Sequence, residues 1–170
     1  MNSSIHIRPE HKEDIKHISQ IIEAAFKDHP HGSHKEHLLV DELRADKALS
    51  LSLVAELDGE IVGHIAFSKV TIGGEFDSWY GLAPVSVDPD FQQQGIGSRL
   101  IEYGLSELRK REANGCVLVG EPGFYKRFGF EHLDDLIYEG VPDKYFLVLP
   151  FTKKIPKGRV RYHNLFETYG

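Results

Sequence analysis

The six residues Gln92-Gln93-Gln94-Gly95-Ile96-Gly97 have the make-up of an anion-holding turn. They follow the apolar run Pro84-Val85-Ser86-Val87 and the break Asp88-Pro89, and they precede a stretch with helical periodicity. The first amides of a helix have no backbone acceptor, and their dipoles carry partial positive charge outward. Phosphate oxygens bind at such an end. Gly95 and Gly97 lack a Cβ, so a diphosphate can approach the main chain closely, while the glutamines, Ser98 and Arg99 sit where further donors would help. Taken alone, Gly-x-Gly also reads as a tight strand-to-helix turn. Two nucleotide readings fail on detail. A P-loop needs Gly-Lys-Ser/Thr where Gly97-Ser98-Arg99 stands, and a dinucleotide fingerprint needs a third glycine where Leu100 stands.

Other side chains offer chemistry with less specificity. Tyr125 lies among Phe124, Phe128 and Phe130, where it is either a packed aromatic or a phenol able to give a proton. Glu121, and also His64, Glu75 and Asp77, are candidates for a proton acceptor, each with a solvated side chain as its plainer reading. His29, His31, His34 and His37 crowd one turn and a helix start, but no cysteine accompanies them. A solvated loop is the better reading there, and no metal site is expected. Cys116 sits in the apolar run Cys116-Val117-Leu118-Val119 with no basic neighbour, as a buried, inert thiol would.

Positioning these residues takes a mixed set of elements. Ile5–Arg8 predicts a strand, and Ile15, Ile18, Ile22 and Ala25 predict a helix over about 11–26. Ser33 predicts the cap of a second helix carrying Leu38, Leu39 and Leu43 on one side. Asp58-Gly59 joins the apolar runs Leu51–Leu57 and Glu60–Val70 as a hairpin, and Gly73-Gly74 leads to a third antiparallel strand over Trp79–Val87. A helix from the glutamine turn to about Glu112 should end in a left-handed cap at Asn114-Gly115. Cys116–Val119 then predicts a buried strand parallel to its predecessor. A brief helix near Gly123–Arg127 and a strand Lys144–Phe151 follow, and Val160, Tyr162, Leu165 and Phe166 imply that the tail 153–170 docks on the body. The expected fold is α/β or α+β, with a mixed, mostly antiparallel central sheet flanked by helices, in one domain over 1–170.

On these residues the chain resembles the GNAT superfamily of N-acetyltransferases. Gln92-x-x-Gly95-x-Gly97, after Val85-x-Val87 and before an amphipathic helix, is similar to the family's coenzyme A motif. Tyr125, four residues before Gly129-Phe130, is similar to its tyrosine, and Gly158-Arg159-Val160-Arg161-Tyr162-His163 resembles the ending of a bacterial subgroup of predicted acetyltransferases. The resemblance implies acetyl-CoA as co-substrate, with its pyrophosphate on the amides of Gln92–Ser98. It implies a slot where the strand at Val85, Ser86 and Val87 splays from that at Cys116–Val119, with Phe124 beside it. Tyr125 would be the general acid, Glu121 the nearest base candidate, and transfer direct in a ternary complex. The acceptor would be an amine of a small molecule or peptide; a non-catalytic acyl-CoA sensor on the same fold is the alternative. Gly120-Glu121-Pro122-Gly123 lacks the asparagine many members carry there, which marks a subgroup variant. A homodimer is the assembly the resemblance suggests.

Composition sets outer bounds. With 20 Lys+Arg against 26 Asp+Glu, the net charge of −6 does not suit a nucleic-acid binder. The single cysteine leaves no intrachain disulfide and agrees with a reducing compartment. Met1-Asn2-Ser3-Ser4 shows no secretory signal, and no apolar run is long enough to cross a bilayer, so a cytoplasmic protein is expected.

Overall fold

Two tight turns organise the long strands. In the computed structural model, which describes residues 4–30 and 32–170, Asp58 (φ 52°) and Gly59 (φ 83°) both adopt the left-handed region. They join β2 (Leu51–Leu57) to β3 (Glu60–Ile72) in antiparallel register, with a shift at Ala55/Glu56. Gly73 (φ 61°) and Gly74 (φ 84°) repeat the device before β4 (Glu75–Val87), which begins earlier than the expected Trp79. Such turns match the right-handed twist of the strands they connect. The strand order is β1 (Ile5–Pro9), β2, β3, β4, β5 (Gly115–Val119), β7 (Phe146–Pro150), with β8 (Gly158–Arg161) added to β3 and β6 (Leu136–Ile137) to β8. The expectations for the leader at residues 1–3 and for His31 lie outside the described residues.

The chain forms two compact units. The first holds residues up to Phe67, Ala83–Gly104 and Asn164–Gly170. Here β1 (Ile5–Pro9) pairs antiparallel with β2. Helix α1 (Ile15–Phe26) packs Ile18, Ile21 and Ile22 with Val40 of α2 (Glu36–Ala45) and Val54 of β2. The predicted helix from residue 11 opens instead as a 3₁₀ turn, Lys12–Asp14, because the Asp14 carboxylate closes back on the His11 amide (2.7 Å) and on Arg8 (2.8 Å). Ser33 does not cap α2. Its hydroxyl accepts from the Lys35 amide (3.1 Å) and donates to the Tyr169 carbonyl (2.6 Å), so the helix starts later, at Glu36. Leu38 is consequently exposed, and Val40 joins Leu39 and Leu43 in the core. The first part of α3 (Ile96–Lys110) also lies here. A Cβ on Gly104 would overlap the Phe67 ring, and one on Gly63 would press on Leu100 (3.1 Å) and Ile96 (3.2 Å). These glycines let helix and sheet meet closely.

The second unit holds Ser68–Leu82 and Leu105–His163. Parallel pairing of β5 (Gly115–Val119) with β4 is confined to Trp79–Gly81 against Gly115–Val117, and β7 (Phe146–Pro150) flanks β5 antiparallel. The core gathers Trp79, Val117, Phe146, Val148 and Val160. Two short strands escape prediction: β6 (Leu136–Ile137) and β8 (Gly158–Arg161), whose Arg161 and Val160 pair with Thr71 and Ile72. The tail then ends in α5 (Leu165–Tyr169) in the first unit. The left-handed cap of α3 falls at Glu112 (φ 60°), not at Asn114-Gly115. There the Ala113 amide bonds Leu108 O (3.0 Å) and the Glu112 amide bonds Arg109 O (3.0 Å). This pair of hydrogen bonds closes the helix with Ala113 and Leu108 both buried. Asn114 is used differently: its backbone N–H and side-chain amide donate to Ser78 O and Asp77 O (2.8 Å each).

Candidate functional site

In the first unit, the end of β4 and the start of α3 are tied into a fixed turn. The Asp88 amide donates to Val62 O (2.8 Å), the Asp88 carboxylate accepts from the Asp90 amide (2.9 Å), and the Gln92 side chain donates to Val87 O (3.0 Å). Gln93 (φ 63°) and Gly95 (φ 81°) then reverse the chain in the left-handed region. The first helical rung is Arg99 N–H to Gly95 O (3.1 Å), which leaves the amides of Ile96, Gly97 and Ser98 without an intrahelical acceptor. A Cβ on Gly95 would meet nothing within 4 Å, and one on Gly97 would touch only Val87 Cγ2, at 3.7 Å. The main chain is therefore open to a ligand at both glycines.

Each side chain of the predicted turn has a separate duty. Ile96 is buried (1% exposed), so only its amide can face a ligand. Gln93 and Gln94 are exposed, Ser98 is half-buried, and Gln92 braces the turn. Val85 and Val87 are half-buried, while Ser86 between them is buried, and its Oγ has no hydrogen-bond partner among the described residues.

In the second unit, α4 (Pro122–Tyr125) and a following 3₁₀ turn place Tyr125. The Glu121 carbonyl accepts the amides of Phe124 and Tyr125 (3.1 Å each), and Gly129 (φ 101°) ends the turn. The tyrosine ring packs edge-on to Phe124 (4.9 Å) and Phe130 (6.1 Å) and tilts against Phe128 (6.3 Å). A Cβ on Gly120 would overlap this ring, so Gly120 makes the room for it, a role that sequence reasoning missed. Burial, and to a lesser degree Cys116, push the phenol above its ordinary 10, so it is protonated at neutral pH as an ordinary phenol is. Phe124 carries the Arg127 guanidinium over its ring (4.6 Å). The Glu121 side chain is exposed.

The other candidates divide sharply. Glu75 and Asp77 are exposed. His64 is the reverse of a solvated side chain: it is fully buried, and burial lowers its pKa to about 3 against the opposing pull of Glu10. Its Nε2 lies 2.7 Å from Ser52 Oγ, which in turn donates to Glu10, itself held by two 2.8 Å bonds from Arg44. Alternation along β2 would have put Ser52 on one face with Val54; nothing local announces Glu10 and Arg44. Cys116 is buried, and desolvation raises its thiol far above the ordinary value. No group of three or more metal-binding side chains occurs among the described residues; His37 Nε2 lies 3.9 Å from Glu23.

Comparison with known proteins places this arrangement. Residues 48–132 match the acetyltransferase (GNAT) domain family. The chain is 38% identical over 126 residues to the uncharacterized N-acetyltransferase YhbS of Escherichia coli strain K12, which covers 74% of this chain and 72% of that protein. A GNAT family acetyltransferase from Brucella melitensis, solved in complex with acetyl-CoA, superposes with a TM-score of 0.87 at 48% identity, over 97% of this chain and 99% of that one. Escherichia coli YhbS, solved in complex with CoA, gives a TM-score of 0.91 at 32% identity, over 100% and 96%.

Proposed function

Because this chain belongs to the GNAT acetyltransferase family, we propose that it is an acetyl-CoA-dependent N-acyltransferase acting on an amine of a small molecule or peptide. The supporting observation is the open, left-handed turn at Gly95, where helix-start amides stand without backbone acceptors beside unobstructed space. Such a cradle fits the diphosphate of coenzyme A, as do the acetyl-CoA and CoA held by the two structural relatives.

Bound acetyl-CoA supplies the activated acetyl group. The chain's own residues do the rest. Amides of Gly95–Ser98 hold the diphosphate by charge-assisted bonds. The main chain of Val85–Val87 positions the pantetheine arm, and Tyr125 Oη holds the proton that the departing sulfur needs. A phenol, protonated at neutral pH, serves that step; a mere acyl-CoA sensor has no use for it. Cys116, buried and protonated, takes no acetyl group, so transfer is direct. The net charge of −6 favours cationic acceptors through long-range attraction.

The test is a screen of amines that follows release of free coenzyme A thiol, run beside thermal unfolding with acetyl-CoA. Ligand that binds only the folded chain raises the melting temperature. A melting temperature unmoved by saturating acetyl-CoA, with no thiol released from any amine, would overturn the proposal.

A further inference from the structure

Resting on that reading, the inference concerns how the reaction's proton leaves. An ammonium group and a thioester yield an amide, a thiol and one proton. The nitrogen loses two protons, the sulfur gains one, and the remaining one must reach solvent.

Two buried polar atoms in the first unit lack partners among the described residues, His64 Nδ1 and Ser86 Oγ. They share a sheet face. Gly63 points at Ile96 and Leu100 of α3, so its neighbour His64 points the other way, as does Val54 directly across from it. Val87 meets α3 at Gly97, so Ser86 points away from α3 too. The Asp88-to-Val62 bond joins β4 to β3 beside them.

Hydrogen-bond logic fixes the histidine's tautomer. Ser52 has one hydroxyl proton, and it goes to the Glu10 carboxylate, which Arg44 holds ionised. Ser52 Oγ must then accept from His64, so Nε2 carries the hydrogen and Nδ1 presents a lone pair. A buried lone pair left unpartnered is costly, and a buried water usually satisfies such groups in pairs or threes.

We propose that an ordered water bridges His64 Nδ1 and Ser86 Oγ, and that water, His64, Ser52 and Glu10 form the path by which the acceptor's proton leaves. As the water takes the acceptor's proton it gives one of its own to Nδ1, Nε2 gives its own to Ser52 Oγ, and Ser52 gives its own to Glu10. Glu10, only partly covered (side chain 17% exposed), releases it to solvent. The charged groups facing this line are Glu10 and Arg44, with Asp41 behind Arg44. His64 acts through its neighbours and is a positioning residue rather than a catalytic one.

The test has two arms. Nitrogen-15 NMR of histidine-labelled protein, with His64→Gln to assign the signal, should show a neutral Nε2–H ring; a crystal structure should show a water within reach of both Nδ1 and Ser86 Oγ. An Nδ1–H ring, or no such water in well-ordered density, overturns the inference even if no acceptor amine is found. With an amine from the screen, Ser52→Ala and Glu10→Gln should lower kcat about a hundredfold with KM for acetyl-CoA unchanged, and Ser52→Thr should restore it. Folded variants whose kcat stays within about twofold of the parent would also overturn it, while leaving the acetyltransferase reading intact. Absence of turnover in the parent, with acetyl-CoA not bound, would instead sink that reading.

Discussion

The turn at Gln92–Gly97 and the nest around Tyr125 do opposite things with their side chains. In the turn the main chain does the binding, and side chains matter for the space they leave or the brace they give. Gly95 meets nothing, Ile96 faces inward, and Gln92 is spent on Val87 O. In the nest a single oxygen is on offer, and three phenylalanines with Gly120 hold its ring. A site made of backbone tolerates many substitutions and fails on geometry. One made of a side-chain atom fails on a single deletion.

That contrast can be broken most severely at Tyr125. Tyr125→Phe keeps the ring and removes the proton, so kcat should fall about a hundredfold with acetyl-CoA affinity unchanged. Steady-state kinetics beside calorimetric titration would show it; equal turnover would remove the phenol from the mechanism.

Next in size is the pair of glycines. Gly95→Ala forces an alanine to φ near 81°, which should cost about 1–2 kcal/mol of stability and weaken acetyl-CoA binding. Gly97→Ala meets only Val87 at ordinary distance and should leave stability within about 0.5 kcal/mol. Denaturant unfolding of both variants separates backbone demand from crowding. Similar losses at the two positions would contradict the difference in geometry.

A smaller effect is expected for the glutamines. Gln92→Ala removes the bond to Val87 O and should destabilise by about 1 kcal/mol. Gln94→Ala, at an exposed position, should lie within about 0.5 kcal/mol of the parent. Acetyl-CoA affinity should follow the first variant and ignore the second.

The smallest effect separates the two units by pH. Asp14 is depressed chiefly by its bonds from Arg8, and Glu10 is depressed because bonds from Arg44 and Ser52 outweigh the upward push of burial. Both groups contribute stability that is fully present above their unfolded values of 3.8 and 4.5 and is lost as pH falls through the lower folded ones. Hydrogen exchange on stepping down through that range should therefore loosen β1 and α2 before β5 and β7. Simultaneous loss would mean that other carboxylates dominate.

Local signals announced most of the turn and little of its surroundings. Asp58-Gly59 and Gly73-Gly74 were legible because positive φ is a property of the residues themselves. The parallel strand was legible at Cys116–Val119, one residue short of its start at Gly115, from a wholly apolar run after a helix. Ser33 misled, since its hydroxyl found the Tyr169 carbonyl far along the chain rather than the helix beside it. The cap of α3 misled for a related reason: Asn114 was claimed by Asp77 and Ser78, so Glu112 took the left-handed position. Leu136–Ile137 and Gly158–Arg161 are too short to carry a period; the second forms by pairing with β3, and the first by pairing with the second.

By itself the sequence determined the glycine-opened helix start, the hairpins, the apolar strands and the tyrosine's aromatic company, because each depends on neighbours within a few residues. Tertiary structure alone decided that Gln92 is a brace, that Gly120 clears room for a ring, and that His64 is sealed beside Ser52 and Glu10. Burial and hydrogen-bond partnership are set by residues distant in the chain, and their energies exist only once the strands have met.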